Sequence, residues 1–188
     1  MNPEENEPAT SILEELARLD LAVYTAVASS PTPSLDSALR RLSHAADRSR
    51  ISLSVAAGLA LFGGPEGRKA AARGVASVAV TSAVINGLVK PLARRRRPDR
   101  VAAAVPEARH VDMPRSHSFA SGHSAAAFAF AEGAGRTLSW AAPPLTVLAF
   151  MVGYSRVHSG VHYPGDVVFG SLCGVVLAEL TNQALDRV

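Results

Sequence analysis

Twelve consecutive residues, Ser155-Arg156-Val157-His158-Ser159-Gly160-Val161-His162-Tyr163-Pro164-Gly165-Asp166, hold an arginine, two histidines and a carboxylate between two apolar runs. Proline has no N–H to lose and its fixed φ suits a first helical turn, so Pro164 predicts a helix start. His162 then lies just before that helix, with Asp166 one turn further on. A carboxylate so placed can accept a hydrogen bond from one imidazole nitrogen, fixing the tautomer and leaving the other nitrogen free to react. That is the orienting half of a nucleophilic site. A loop of solvated polar residues is the plainer reading of the same stretch.

Two further clusters carry compatible chemistry. Lys90 and Arg97-Pro98 set two cations around the end of an apolar run. Their neighbours Arg94, Arg95 and Arg96 are well explained as a basic stretch at a membrane edge, which sets topology and nothing more. Ser118-Phe119-Ala120-Ser121-Gly122-His123 opens another apolar run. Free N–H groups at a helix N-terminus bind anions, and Gly122 lets an oxyanion approach the backbone closely. Ser121 can add a hydroxyl donor; an ordinary serine cap also accounts for it, but does not require His123. Arg156, His162 and Asp166 complete a set of three cations, a helix N-terminus and two imidazoles. Such a set suits phosphoryl transfer, in which positioning and charge neutralisation do most of the work.

The elements that must position these groups are helical. The chain has 188 residues, enough for one domain, with 48% hydrophobic but only 5% aromatic residues. Its apolar mass is therefore Ala, Val and Leu, which favours close-packed helices. Net charge is +3, the sequence pI is about 9.5, and Lys69 and Lys90 are the only lysines. Arginine offers a planar fork for phosphate or carboxylate, so an anionic partner is expected. Cys173 is the sole cysteine, which excludes an internal disulfide and a cysteine-rich metal site.

Residues 1–10 are acidic and read as disordered, and Glu4, Glu5 and Glu7 do not make the basic start of a cleaved signal. Residues 11–188 read as one domain. Helices are expected over Ser11–Ser30, Ser34–Arg50, Ala70–Leu92, Ser121–Arg136, Trp140–Ser155 and Pro164–Leu185, with a short apolar run at Ile51–Gly64. Gly63-Gly64-Pro65 is a strong breaker. Mean hydropathy is only +0.16, yet Thr137–Ser155 is uncharged throughout. We expect an all-α, multi-span membrane bundle of about six helices rather than a soluble one. If the helix ending near Leu92 crosses a bilayer, the next two return and come back. Residues 93–120 and Ser155–Asp166 then share one membrane face, so three distant polar clusters converge.

At this point the residues resemble a known family. Lys90-x6-Arg97-Pro98, Ser121-Gly122-His123 and Ser155-Arg156-x5-His162-x3-Asp166 are similar to the three ordered motifs of the type-2 phosphatidic acid phosphatase superfamily, which also contains the vanadium-dependent haloperoxidases. The resemblance covers about residues 50–185. It implies a bundle, usually of six spans in the lipid-phosphatase branch, and a mechanism without metal or cofactor. By that resemblance His162 is the nucleophile forming a phosphohistidine, Asp166 orients it, and His123 is the general acid and then the base. Lys90, Arg97, Arg156, Ser121 and the Gly122 amide hold the phosphoryl oxygens. One departure is that Ala120 stands where the second motif usually begins with proline. His158, His117, His110 and His44 match no motif position.

Three rival readings remain. A zinc hydrolase could use His158 and His162, spaced i, i+4, unless Gly160 breaks the helix between them. A vanadate-dependent haloperoxidase would share the pocket. A non-catalytic protein could bind anionic lipid or nucleic acid through Arg94–Arg97, but that leaves His123, His162 and Asp166 unexplained. The expected partner is a lipid phosphate, with no nucleic acid. Candidate lipids are a polyprenyl diphosphate, phosphatidic acid, phosphatidylglycerol phosphate or a polyprenyl-linked sugar phosphate, and Arg94–Arg96 lean toward a diphosphate or a doubly charged headgroup. Outside the proposed phosphate residues and Arg94–Arg96, seven arginines fall on the site face and six cations opposite, so charge does not decide orientation. The resemblance favours an extracytoplasmic site in a bacterial cell membrane.

Overall fold

The computed structural model describes residues 11–187, so the expected disorder of residues 1–10 lies outside the described part. Seven helices make up the fold among the described residues, without a strand. They are α1 (Ile12–Ser29), α2 (Pro33–Ala45), α3 (Arg50–Phe62), α4 (Gly64–Ala93), α5 (Gly122–Gly135), α6 (Ala142–His158) and α7 (Pro164–Leu185).

Local chemistry explains most boundaries. Ser11 and Glu14 form a reciprocal capping box at the start of α1, satisfying two free N–H groups. Proline opens α2 and lies in the first turn of α6 and α7, where its missing N–H costs nothing. Two expectations are corrected. The helix expected over Ser34–Arg50 stops at Ala45, because Arg48 (φ 53°) and Ser49 (φ 57°) are left-handed and turn the chain at Asp47–Ser49. The helix expected over Ala70–Leu92 begins earlier, at Gly64: Gly63-Gly64-Pro65 breaks the chain as a tight corner, with Gly64 at φ 63° and Pro65 in the first turn of α4. Within α4, residues Ile85–Val89 form a wider π turn, and left-handed Arg94 (φ 45°) ends the helix.

The buried centre is α5, which packs against α4, α6 and α7. Ala126, Phe130 and Ala134 meet Ala70, Ala71 and Val78 of α4 and Ala56 of α3 in one apolar cluster. The approach of α7 to α5 is set by glycine. A Cβ on Gly170 would lie 2.5 Å from the Ser121 carbonyl oxygen, and one on Gly174 would collide with the Ala125 carbonyl. With backbones this close, the Ser121 N–H donates to the Asp166 carbonyl at 3.0 Å, locking the start of α5 to the first turn of α7.

The corner between α1 and α2 is held from elsewhere. Arg109, in the connection between α4 and α5, is buried and donates to the Val27 carbonyl (3.0 Å), the Ala28 carbonyl (3.3 Å), Thr32 Oγ1 (3.0 Å) and Asp36 Oδ1 (2.9 Å). It satisfies helix-end carbonyls that α1, lacking a basic residue in its last turn, leaves free. His158 joins this network through Nε2, 3.1 Å from Asp36 Oδ1 and 3.0 Å from Thr32 Oγ1.

Two of the helices, Gly64–Ala93 and Pro164–Leu185, are long and apolar enough to cross a membrane. Large apolar side chains also face outward from α1, α6 and α7, among them Leu16, Phe150, Met151, Leu172 and Leu180. Exposed apolar surface on this scale marks contact with lipid or protein.

Candidate active site

The turn between α6 and α7 presents His162. Gly160 makes that turn at φ 72°, where a Cβ would lie 2.9 Å from Arg100 Cβ. It therefore ends α6 at His158 and sends the two histidines to different partners, which removes the i, i+4 zinc geometry. His162 and Asp166 are both buried.

The His162 ring is fixed on both sides. Arg97 Nη1 lies 3.1 Å from His162 Nε2. A guanidinium has donors and no acceptor, so Nε2 carries the lone pair and Nδ1 the proton. Nδ1 faces Asp166 Oδ2 at 3.5 Å and Ser118 Oγ at 3.4 Å. Burial pushes the imidazolium form down to a pKa of about 3, against the hydrogen bond to Asp166, with Arg97 and Arg156 adding to the fall. The ring is thus a neutral base with its lone pair turned toward the cations.

Asp166 is held in turn. Oδ2 accepts from the Tyr163 N–H at 2.9 Å and, through a short hydrogen bond, from Ser118 Oγ. Oδ1 accepts from Arg95 Nη1 at 2.9 Å. Arg95 also donates to Asp20 Oδ2 at 2.6 Å, while the Gly165 N–H donates to Asp20 Oδ1 at 2.6 Å. Arg95 is therefore no mere topology signal: it clasps α1 to the carboxylate behind His162. Arg97 is anchored at its base by the carbonyls of Ser116 (2.9 Å) and Val161 (2.7 Å).

His123 stands in the first turn of α5 and bonds Asp47 Oδ1 through Nε2 at 2.9 Å. The same oxygen is 3.9 Å from Arg156 Nη1, which donates to Ser43 Oγ at 2.6 Å. Arg156 Nε has no partner among the described residues, leaving a donor for an incoming oxygen. Arg156 is an electrostatic neighbour of both imidazoles, and Lys90 is one of His123. Lys90 Nζ donates to Asn86 Oδ1 at 3.0 Å and sits over Gly122, 3.3 Å from where a Cβ would be.

Thus Lys90, Arg97, Gly122, His123, Arg156, His162 and Asp166 gather at one end of the bundle. Ser121 is there too, but buried. Its hydroxyl caps α5 through the Ser124 N–H (3.4 Å) and pairs with Ser124 Oγ (2.9 Å) rather than facing the cavity. The sequence reading missed Asp20, Ser43, Asp47 and the use of Arg95. Their partners are far away along the chain, and no local spacing reveals such pairs.

The chain belongs to the PAP2 superfamily, whose model matches residues 71–187. It is 38% identical over 96 residues to the decaprenylphosphoryl-5-phosphoribose phosphatase of Mycobacterium tuberculosis, covering 51% of each chain. A 32-residue stretch is 66% identical to the bacitracin transport permease protein BcrC of Bacillus licheniformis, covering 17% of this chain and 16% of that one. The matches thus span about half or less of these relatives' lengths. The fold is similar to LpxE of Aquifex aeolicus, with TM-score 0.71, 20% identity and coverage of 88% of this chain and 95% of that one. It is also similar to a transmembrane PAP2-type phosphatidylglycerolphosphate phosphatase of Bacillus subtilis, with TM-score 0.69, 22% identity and coverage of 93% and 88%.

Proposed function

We propose that this protein is an integral-membrane lipid phosphatase acting through a phosphohistidine. The observation that carries the reading is the setting of the His162 ring: Nδ1 faces Asp166 and Nε2 faces the Arg97 guanidinium, which assigns the proton to Nδ1 and the lone pair to Nε2. Nε2 attacks phosphorus while the bond to the leaving oxygen breaks, and His123, which takes up a proton beside Asp47 when the anionic substrate binds, gives that proton to the leaving oxygen. His123 then takes a proton from water, which attacks the phosphohistidine, frees inorganic phosphate and returns His162 to its starting form. Lys90, Arg97, Arg156 and the Gly122 N–H neutralise the equatorial oxygens. In this reading Ser121 serves phosphate binding as the cap that sets the Gly122 amide at the start of α5.

Among lipid phosphates, a polyprenyl-linked sugar phosphate leads. The Mycobacterium tuberculosis relative is named for such a substrate. The lean toward a diphosphate weakens, because Arg95 is engaged with Asp20 and Asp166 and Arg94 Nε donates to the Pro91 carbonyl. We place the protein in a bacterial cell membrane, with several of its helices crossing and the site on the extracytoplasmic face. A panel of lipid phosphates in detergent tests the activity, with His162→Ala as blank. Phosphate release from one or more lipids, lost by at least about a thousandfold in the variant, supports it. Equal lipid binding by both proteins with no release from either overturns it in favour of a non-catalytic lipid-binding protein.

A further inference from the structure

A cavity of about 330 Å³ opens beside the site, lined by Arg48, Ser49, Ser82, Asn86, Lys90, Gly122 and His123, with Ala46 at its edge. It touches the proposed acid but not His162, Arg97 or Arg156. In an in-line displacement the nucleophile and the leaving group occupy opposite poles of phosphorus. The cavity holds the phosphoryl oxygens where Lys90 and Gly122 line it and continues past His123 along Ser82 and Asn86, which is where the leaving group lies if the phosphatase reading holds.

The walls of this cavity are polar where an apolar wall would be expected. Ser82, Asn86 and Lys90 repeat at i, i+4 and i+8 on α4, a helix otherwise apolar enough to cross a membrane. Asn86 is exposed to the cavity. Its Oδ1 accepts from Lys90 Nζ at 3.0 Å, and its Nδ2 donates to the Ser82 carbonyl at 2.9 Å. The second Asn86 Nδ2 hydrogen and the hydroxyls of Ser82 and Ser49 suit further hydroxyls on that leaving group; bare hydrocarbon would leave those groups without a partner.

We infer that Ser82 and Asn86 are specificity-determining residues that read a polyhydroxylated leaving group, a sugar between the reacting phosphate and the lipid tail. They select it over a phosphate carried directly on the hydrocarbon chain. Neither side chain takes part in the chemical step.

The test compares three substrates in detergent: a polyprenyl-linked pentose phosphate, a plain polyprenyl monophosphate and a polyprenyl diphosphate. Wild type, Asn86→Leu and Ser82→Ala are assayed on each, with size-exclusion profiles to establish folding. Wild type should prefer the sugar phosphate. Each variant should lose about tenfold more in kcat/KM on it than on the other two substrates, with Asn86→Leu also lowering all three where it frees Lys90. Equal losses on all three would make Asn86 only a support for Lys90 and overturn the inference. A loss greatest on the diphosphate would overturn it in favour of a second phosphate site. Wild-type turnover of none of the three, or of any other lipid phosphate, is failure of the phosphatase reading itself. Should Asn86→Leu fail to fold, Ser82→Ala alone carries the comparison.

Discussion

His162 and Asp166 stand one turn apart, as many surface pairs do, but both are buried and each polar side-chain atom of the pair has a partner. Ser118 Oγ and the Tyr163 N–H share Asp166 Oδ2, so the carboxylate cannot swing away from the imidazole. Ser118→Ala removes one of these restraints. Turnover should fall about five- to tenfold with KM little changed, measured as phosphate release on the best lipid. Acidity offers a second check. His162 in the folded protein has a pKa of about 3, below the ordinary 6.5 of an exposed histidine. Between those values the unfolded chain binds a proton that the native one refuses, so stability falls as pH drops from 6.5 toward 3. His162→Gln should flatten that part of the acid dependence, read by thermal unfolding in detergent at stepped pH.

Helices place these atoms through close backbone contact more than through side-chain bulk. The start of α5 and the first turn of α7 touch because Gly170 and Gly174 have no Cβ. Gly174→Val should force α7 off α5, cost about 1–3 kcal/mol and cut activity, seen together as a lower Tm and a lower kcat. Much of this level was legible. Pro164 announced the start of α7, and among the motif residues Arg97, His162 and Asp166 are in contact, while His123 and Arg156 share Asp47. What stayed hidden were pairings across long stretches of chain. Asp20 meets Arg95 and Gly165, and Asp47 meets His123 and Arg156. Nothing in the periodicity of α1 or in the charge of the α2–α3 turn marks those carboxylates as different from their solvated neighbours. The same blindness made Arg95 look like a membrane-edge charge, since a run of arginines reads alike whether or not one of them is clasped.

For the molecule as a whole, cationic side chains and two imidazoles can do the charge work at one end of the bundle. Incubation with a chelator should leave phosphate release within about twofold of the untreated rate, and a collapse restored by added zinc would overturn the mechanism. The α1–α2 corner has a consequence of another kind, for biogenesis. Its helix-end carbonyls and Asp36 wait for Arg109, a residue synthesised only after α4 is complete. A nascent chain halted before that residue leaves the corner without its counter-charge, so the first two helices close late, after four helices have left the ribosome.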